Sequence, residues 1–421
     1  MNRRLATALI LCALAAVAAV AAPATGATAS HKRSAIPLSG TVYIESNSRA
    51  PDSNEILAFH YRNGVLSGRG VRRYPTGGSG SHDLSNSGVL DADQEVITNP
   101  GRTLLFAVNS SSDTIAVFHI HAGGGLTPVA GSPFPSNGAA PSSVGLAGNT
   151  LIVANKALDG VRDLTAVPAN YTSFHVRADG SLGPPISSID VPPGSAPLQA
   201  YVTPDRKVLI TSEETGLFRA FRIGPGGTLT EGPNSPLPLP NAVFPGGHHV
   251  ANVWPAGLTS NPKRKLLYAQ IANLNETIVY RWNDDAQLTF DRALQNPRSF
   301  LPCWTHVNAA GTRMYSGNAG SDSLTVFNIA RTPANPRAIQ SVTLDAPGNP
   351  WNFEIDPSGR VIFILDMRAV RQIPAGEGNQ IHALRIGPDG RLTEEPSSPV
   401  DIPVPVGTNP VGLAIVPNRG G

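Results

Sequence analysis

Apolar residues recur along this chain in short alternating runs rather than at helical spacing. One segment is found seven times: an apolar residue, two residues of any kind, a large apolar residue, and then a turn with glycine followed by an apolar residue, usually leucine. The large residue of the seven copies is Phe59, Phe118, Phe174, Phe221, Tyr280, Phe327 and Leu384. Because alternation around a glycine turn is typical of a β-hairpin, each copy predicts two antiparallel strands.

Two further elements precede each hairpin, and the whole unit has a mean period of about 54 residues. The nearer element is a run of buried-strand character, such as residues 103–109 and 360–365, which opens from a tight turn. The farther element occupies a frame of Pro-x6-Pro or a close variant. These frames begin at Asp93, Pro141, Pro197, Pro255, Pro302, Pro350 and Pro410. Each unit therefore carries three strands, with room for a fourth.

Seven four-stranded units predict an all-β fold, a seven-bladed β-propeller. Residues 41–44 form a second-strand element with no inner strand before it, and residues 411–416 form an inner strand with no unit after it. We expect these two terminal strands to share one blade and to close the ring, which protects its edges. A pair of β-sandwiches is the alternative, and the sevenfold period argues against it.

The N-terminal residues have the pattern of a secretory signal peptide. Arg3 and Arg4 precede an apolar run over residues 5–22, and small residues lead to an A-x-A site that ends at Ala29. We expect cleavage after Ala29 and a secreted, periplasmic or cell-envelope protein. An uncleaved membrane anchor is the alternative, since the run is about long enough to span a bilayer. The predicted domains are a signal peptide at 1–29, a flexible segment at 30–39, the propeller at 40–417 and a tail at 418–421.

Composition agrees with a β protein and narrows the choice of partners. The 42 glycines and 39 prolines among 421 residues argue against an all-helical chain. Without Arg3 and Arg4 the chain has 30 basic and 30 acidic residues, so nothing attracts it to nucleic acid or, after signal cleavage, to a membrane. Cleavage leaves Cys303 as a single cysteine, which excludes an internal disulfide. We expect a monomer, because the ring needs no partner to close.

These repeats resemble those of the seven-bladed lactonase-type propellers. That family includes propeller 6-phosphogluconolactonases, carboxy-cis,cis-muconate cyclases and the YVTN repeat proteins. The resemblance rests on the inner-strand proline, the Pro-x-Gly-Arg/Lys turn, the Leu-Tyr/Phe-Val-Ala-Asn strand and the glycine hairpin, and it covers about residues 40–417. It implies a seven-bladed propeller and, as one of several activities within the family, hydrolysis or isomerisation of a small lactone.

The chain departs from the lactonase members at one set of positions. Those members carry arginine and histidine just after the inner-strand proline, whereas the corresponding segments here contain no arginine. They read Pro141-Ser142-Ser143, Pro197-Leu198-Gln199, Pro302-Cys303-Trp304 and Pro350-Trp351-Asn352. A phosphorylated sugar lactone would need basic partners. We therefore expect a neutral sugar lactone or an aromatic lactone as the small-molecule partner.

Alternation along the inner strands predicts which side chains face the central channel. Counted from the first residue of each frame, the third and fifth offsets are mostly apolar and are expected to point between blades. The second, fourth and sixth offsets then face the channel. The polar and aromatic residues placed there include Glu95, Gln199, Tyr201, Trp304, His306, Asn352 and Glu354.

This set contains the materials of general acid–base chemistry and of ligand binding. A carboxylate beside an imidazole raises the imidazole pKa toward working pH, so His306, Glu354 and Glu95 are the candidate catalytic residues. The candidate substrate-binding residues are Gln199, Tyr201, Trp304, Asn352, His248 and His249. The two adjacent histidines lie in a stretch rich in proline and glycine that we expect to cover the channel mouth. Because neighbours on a strand point to opposite sides, we expect no metal site there, and no cofactor.

Three hypotheses follow for function. The first is an exported lactonase-like propeller that hydrolyses or isomerises a small cyclic ester in its channel. The second is a non-catalytic propeller that binds a ligand or a protein. The third is a quinone- or metal-dependent oxidoreductase. The sequence contains no Gly-x-Ser-x-Gly elbow, Walker loop, dinucleotide glycine fingerprint or His-Glu-x-x-His motif.

Overall fold

A computed structural model describes residues 38–81, 92–247, 252–297, 299–346, 348–368 and 378–418. Within these ranges the chain forms 32 strands, five 3-10 helices and no α-helix. The strands associate into seven antiparallel sheets. The predicted all-β, seven-bladed propeller is therefore confirmed.

Each blade has the same order of strands from the channel outward. The innermost strands are β5 (Val96–Thr98), β10 (Pro141–Ala147), β14 (Tyr201–Val202), β19 (Pro255–Ser260), β23 (Pro302–Val307), β27 (Asn349–Ile355) and β32 (Val411–Pro417). The second strands are β1 (Ser39–Glu45), β6 (Leu104–Asn109), β11 (Thr150–Asn155), β15 (Val208–Ser212), β20 (Leu266–Ile271), β24 (Arg313–Asn318) and β28 (Val361–Met367).

The third strands carry the repeated large residue of the hairpin. They are β2 (Glu55–Arg62), β7 (Thr114–Ile120), β12 (Ala169–Val176), β16 (Leu217–Ile223), β21 (Glu276–Trp282), β25 (Ser323–Asn328) and β29 (Gln380–Ile386). A single outer strand completes three blades: β13 (Leu182–Val191), β22 (Leu288–Gln295) and β26 (Arg337–Thr343).

The other four blades have two short outer strands each, so blades hold four or five strands. The pairs are β3 (Val65–Leu66) with β4 (Arg72–Pro75), β8 (Leu126–Pro128) with β9 (Phe134–Pro135), β17 (Leu229–Glu231) with β18 (Leu237–Pro238), and β30 (Leu392–Glu394) with β31 (Val400–Asp401). The 3-10 helices are Ser110–Ser112, Pro225–Gly227, Asn241–Val243, Pro245–Gly247 and Ala272–Leu274.

Blade 1 joins the two ends of the ring. Strand β1 pairs with β2 on one side and with β32 on the other, so that Tyr43 lies opposite both Ala58 and Ala414. The predicted closure by N- and C-terminal strands in one blade is confirmed. We number the blades from here: β1–β4 with β32 form blade 1, and β5–β9, β10–β13, β14–β18, β19–β22, β23–β26 and β27–β31 form blades 2 to 7.

The apolar core is divided into seven clusters, one between each pair of neighbouring blades. The repeated hairpin residues of the third strands are buried in these clusters; Phe59, Phe221 and Leu384 have no exposed surface. Burial of apolar surface between blades is the dominant stabilising contribution expected here. This explains the period of the sequence, because every blade must present the same two apolar faces.

Most inner strands contain a β-bulge just after the opening proline. The register against the second strand shifts between Pro141 and Ser143, Pro255 and Leu258, Pro302 and Thr305, and Pro350 and Phe353. A bulge inserts an extra residue and interrupts the alternation of side chains. The predicted channel positions therefore hold best beyond the bulge, and least well at the two residues within it.

The predicted signal peptide and residues 30–37 lie outside the described residues, as do residues 419–421 of the predicted tail. Strand β1 begins at Ser39 and β32 ends at Pro417. None of the helices within the described ranges is long and apolar enough to cross a membrane.

Candidate functional site

Residues 92–95 cross the axis of the ring, although they belong to blade 2. The Asp93 backbone N–H donates to the Leu198 carbonyl of blade 4 at 3.1 Å. The Ser143 hydroxyl of blade 3 donates to the Asp93 carbonyl at 2.5 Å. The Asn352 amide of blade 7 donates to Asp93 Oδ1 at 3.0 Å. A blade 2 residue that contacts blades 3, 4 and 7 must lie near the centre of the ring.

The local sequence explains this crossing. Asp93 occupies the frame position that holds proline in the other six blades. A proline has no N–H and could not donate to Leu198. Gln94 adopts a positive φ of 66°, and β5 begins only at Val96, so the chain approaches the axis before it enters the sheet.

Two buried amide side chains hold the carboxylates at the axis. Gln199 Nε2 donates to Asp93 Oδ2 at 3.2 Å, and its Oε1 accepts from the Leu258 N–H at 2.6 Å. Asn352 Nδ2 donates to Glu95 Oε2 at 3.1 Å, and its Oδ1 accepts from the Gly412 N–H at 2.8 Å. Because the hydrogen bonds of both amides are made within the protein, Gln199 and Asn352 act as positioning residues in this structure.

His306 of blade 6 lies between two of the carboxylates. Its Nε2 is 3.9 Å from Asp93 Oδ2, and its Nδ1 is 4.0 Å from Glu354 Oε2. Both distances exceed hydrogen-bond length. The ring instead packs edge to face on Phe353, with centroids 4.7 Å apart, and the buried Nε2 has no hydrogen-bond partner among the described residues. Packing holds this imidazole in place and leaves its hydrogen-bonding capacity available.

Burial raises the pKa values of the three carboxyl groups of this cluster. Burial raises the pKa of Asp93, although the nearby His306 opposes the rise. Burial, with the added charge of Asp93, raises the pKa of Glu95 well above its ordinary value. Burial raises the pKa of Glu354 to about 7, with His306 opposing and Asp93 adding to the shift. A carboxyl that titrates near neutral pH, as Glu354 does, is suited to proton transfer.

Glu354 opens onto a cavity of about 420 Å³ at the end of the channel where the inner strands finish. Its side chain is 39% exposed, against 6% for Asp93, so it is the carboxylate that a solute can reach. Gln94, Ile97 and Leu413 form much of the wall. This volume lies within the ~300–1,000 Å³ range of small-molecule sites.

The remaining predicted residues lie apart from this cluster. Trp304 is only 1% exposed and packs edge to face on Trp351, with centroids 6.2 Å apart, in the bulge that follows Pro302. The Tyr201 hydroxyl is hydrogen bonded to Ser260 Oγ at 2.6 Å, and its ring packs on the apolar cluster between blades 4 and 5. His248 and His249 lie outside the described residues. The structure thus brings together Glu95, Gln199, His306, Asn352 and Glu354.

Two residues near this cluster were missed by sequence reasoning. Asp93 is the centre of the cluster, and its signal was available: it is the charged residue that replaces an otherwise regular proline. Lys156 is 1% exposed, and its Nζ lies 2.7 Å from Glu214 Oε1. Its charge opposes the rise in the Glu95 pKa. Nothing in the local pattern marks Lys156, because it simply follows a strand.

Solved structures of known proteins share this architecture. A protein from Bacteroides fragilis, provisionally assigned as a 6-phosphogluconolactonase, matches at 18% identity and a TM-score of 0.64, over 90% of this chain and 98% of its own. The periplasmic gluconolactonase of Pseudomonas aeruginosa matches at 16% identity and a TM-score of 0.64, over 90% and 100%. The chain has the fold of the lactonase-type propellers. No protein-family model and no curated protein matches it.

Proposed function

We propose that this protein is a lactonase-like propeller that opens a small, uncharged cyclic ester. The observation that carries the proposal is His306, held by packing between Asp93 and Glu354 at 3.9 and 4.0 Å. An imidazole beside protonatable carboxyls is the usual equipment for general acid–base catalysis. The shared fold of the Pseudomonas aeruginosa gluconolactonase supports the same reaction class.

The proposed reaction is hydrolysis with two proton transfers. Water attacks the lactone carbonyl carbon while His306 accepts a proton from that water. The ring C–O bond then breaks, and Glu354 donates its proton to the departing alkoxide, which gives a hydroxy acid. The proton on His306 returns to Glu354 through solvent, since a gap of 4.0 Å suits one bridging water. Asp93 stabilises the imidazolium that forms in between.

The charge of the site favours an uncharged substrate. Asp93 and Glu354 flank His306, Glu95 lies beside Asn352, and Arg102 is the basic residue among those that line the Glu354 cavity. A phosphate group would meet these carboxyl groups with Arg102 as its one basic partner among the described lining residues, whereas phosphate is usually bound by strong, often bidentate, basic contacts. We therefore propose a neutral lactone rather than a phosphorylated one.

The test is acid release at constant pH by the purified mature chain. The panel pairs D-glucono-1,5-lactone with its 6-phosphate, and dihydrocoumarin serves as an aromatic lactone. Saturable hydrolysis of a neutral lactone, lost in His306→Gln and retained in the exposed-residue control His175→Gln, would support the proposal. Equal hydrolysis by His306→Gln would overturn the role of His306, and preference for the 6-phosphate would overturn the substrate class.

Export is the second part of the proposal and rests on the signal-peptide pattern that ends at Ala29. Expression of the full chain, fractionation and N-terminal sequencing provide the test. Recovery of a chain that begins at Ser30 outside the cytoplasm is expected. Retention of Met1 in the cytoplasm or the membrane would overturn it.

A propeller that binds a ligand without catalysis is the second candidate function. It is favoured by a separate apolar cavity at the opposite end of the inner strands, described below. The lactone panel separates the two candidates, because a purely binding propeller would release no acid from any substrate.

A further inference from the structure

A second cavity, of about 320 Å³, lies at the end of the channel where the inner strands begin. Aromatic side chains dominate its wall: Trp254, Phe300, Trp304 and Trp351. Trp254 and Phe300 are each 54% exposed, and they are the two aromatic residues among the exposed large hydrophobics of the described chain. Exposed aromatic surface gathered around one concavity is characteristic of a binding site.

Small residues create this hollow. The strand-opening residues Pro141 and Pro197 pair with Asn155 and Glu213, and the next residues are Lys156 and Glu214, which form an ion pair. In blades 5 and 6 the corresponding residues after the pairing partner are alanines. These are Ala272 and Ala319, and both line the cavity. The Lys156–Glu214 ion pair of blades 3 and 4 thus has no counterpart at these positions in blades 5 and 6, where two alanines leave an open apolar space.

The lining also specifies the chemistry of an occupant. Among the described residues, no charged side chain lines the cavity, so a charged ligand would lose its hydration without compensation from them. The buried indole Nε1 atoms of Trp304 and Trp351 have no hydrogen-bond acceptor among the described residues. Buried indole N–H groups usually find a partner. Because both Nε1 atoms have almost no accessible surface, an acceptor carried by a ligand would supply the missing partner by turning an indole toward the cavity as the ligand enters.

We propose that this cavity binds a planar, uncharged aromatic ligand that carries a hydrogen-bond acceptor. Trp254 and Phe300 would cover the ring from the solvent side, and Trp304 and Trp351 would form the floor. The site is distinct from the Glu354 cavity, which lies at the opposite end of the inner strands. The proposal does not depend on lactone hydrolysis, and a binding assay tests it without any turnover.

The experiment uses the mature chain and N-phenyl-1-naphthylamine, an uncharged fluorophore whose emission rises in apolar surroundings. We expect saturable binding of one probe per chain. The double variant Trp254→Ala/Phe300→Ala should weaken binding at least tenfold. Because both side chains are half exposed, the variant should fold, which circular dichroism verifies. The matched control is Val161→Ala, which truncates a hydrophobic residue that is 72% exposed and lies outside the cavity wall.

Two further measurements locate the probe and test the acceptor. Cys303 lines the same cavity, so bound probe should slow its alkylation, followed by mass spectrometry. In displacement, 2-acetonaphthone should compete more strongly than 2-ethylnaphthalene, which has similar shape but no acceptor. Unsaturable binding, or equal affinity in the double variant and Val161→Ala, would overturn the site. Equal displacement by the two naphthalenes would overturn the role of the indoles.

Discussion

The described part of the molecule contains two imidazoles flanked by carboxylates, His306 and His382, and their surroundings differ. His306 in the channel lies 3.9 and 4.0 Å from its carboxylates, which belong to blades 2 and 7. His382 in blade 7 has no exposed surface; its Nδ1 lies 2.5 Å from Glu394 Oε1 and its Nε2 lies 3.4 Å from Asp366 Oδ2. Three strands of one blade supply the second cluster, whereas three blades converge to make the first.

The shorter distances around His382 indicate a structural role, whereas the longer distances around His306 leave its ring nitrogens available for catalysis. Burial alone would lower the pKa of His382, but Asp366 and Glu394 outweigh it and raise that pKa to about 9. In blade 6, Asn318 occupies the position of Asp366 and Thr325 occupies the position of His382. The Asn318 amide donates a hydrogen bond of 3.0 Å to the Thr325 hydroxyl. In each of these two blades a side chain of the second strand contacts a side chain of the third strand, and we call this contact a pin. The pin is the neutral pair Asn318–Thr325 in blade 6 and the charged pair Asp366–His382 in blade 7. His306 has no such fixed partner.

The largest effect is expected on turnover, when His306 is replaced. Replacing His306 with glutamine removes the proposed base and should lower kcat for lactone opening by about 10²- to 10⁴-fold. Stability should change little, because the ring makes no hydrogen bond to the described residues that would be lost. Turnover and denaturant unfolding are measured on the same preparations, with His175→Gln as control. A large loss of stability with normal turnover would reverse the assignment of the two imidazoles.

The next effect tests the structural imidazole. His382→Gln breaks a fully buried charged pair and should reduce the free energy of unfolding by about 3 kcal/mol, with turnover per folded molecule unchanged. The double variant Asp366→Asn/His382→Thr copies the pin of blade 6 and should recover part of that loss. A double variant no more stable than His382→Gln would contradict the equivalence of the two pins.

The same cluster has a pH dependence with a defined sign. Because the His382 pKa is raised on folding from 6.5 to about 9, its stabilising contribution is complete below pH 6.5 and is lost as the pH rises through 9. Wild-type protein should lose unfolding free energy over that window, and His382→Gln should lack this decline. Urea unfolding at a series of pH values measures both slopes.

A smaller effect tests the amides that hold the channel carboxylates. Asn352→Ala removes one buried donor from each of Asp93 and Glu95 and should cost about 1–3 kcal/mol of stability. It should also reduce turnover, because Asp93 loses its fixed position beside His306. The control is Asn149→Ala in an exposed turn. Equal stability of the two variants would contradict a positioning role for Asn352.

Much of this architecture followed from the sequence. The seven hairpin residues and the shared terminal blade were readable because each blade must bury the same two faces, which imposes a period on the chain. Alternation also brought Glu95, Gln199, His306, Asn352 and Glu354 to one place. His306 and Glu354 lie beyond the bulges of their strands, whereas Asn352 lies within a bulge and still reaches the cluster.

The parts that the sequence did not reveal have local physical reasons. Trp304 lies within the bulge after Pro302, where alternation fails, so it joins an apolar wall rather than the polar cluster. Asp93 is the first residue of its frame, in the place of the usual proline, and only the later offsets were assigned to the channel. His382 and its carboxylates come from three strands of blade 7, and their close pairing depends on strand register that a repeat alone does not reveal.

The smallest expected effect tests whether Glu354 supplies the proton to the leaving alkoxide. Glu354 is proposed to act as the acid, so it must be protonated, and its pKa of about 7 places the loss of activity above neutral pH. Glu354→Gln should lower kcat by about tenfold at pH 6, since water can protonate part of the leaving alkoxide. It should also abolish the fall in kcat above pH 7. A variant that keeps the fall in kcat above pH 7 would show that another group in the channel supplies the proton. His306 would then work with an acid other than Glu354.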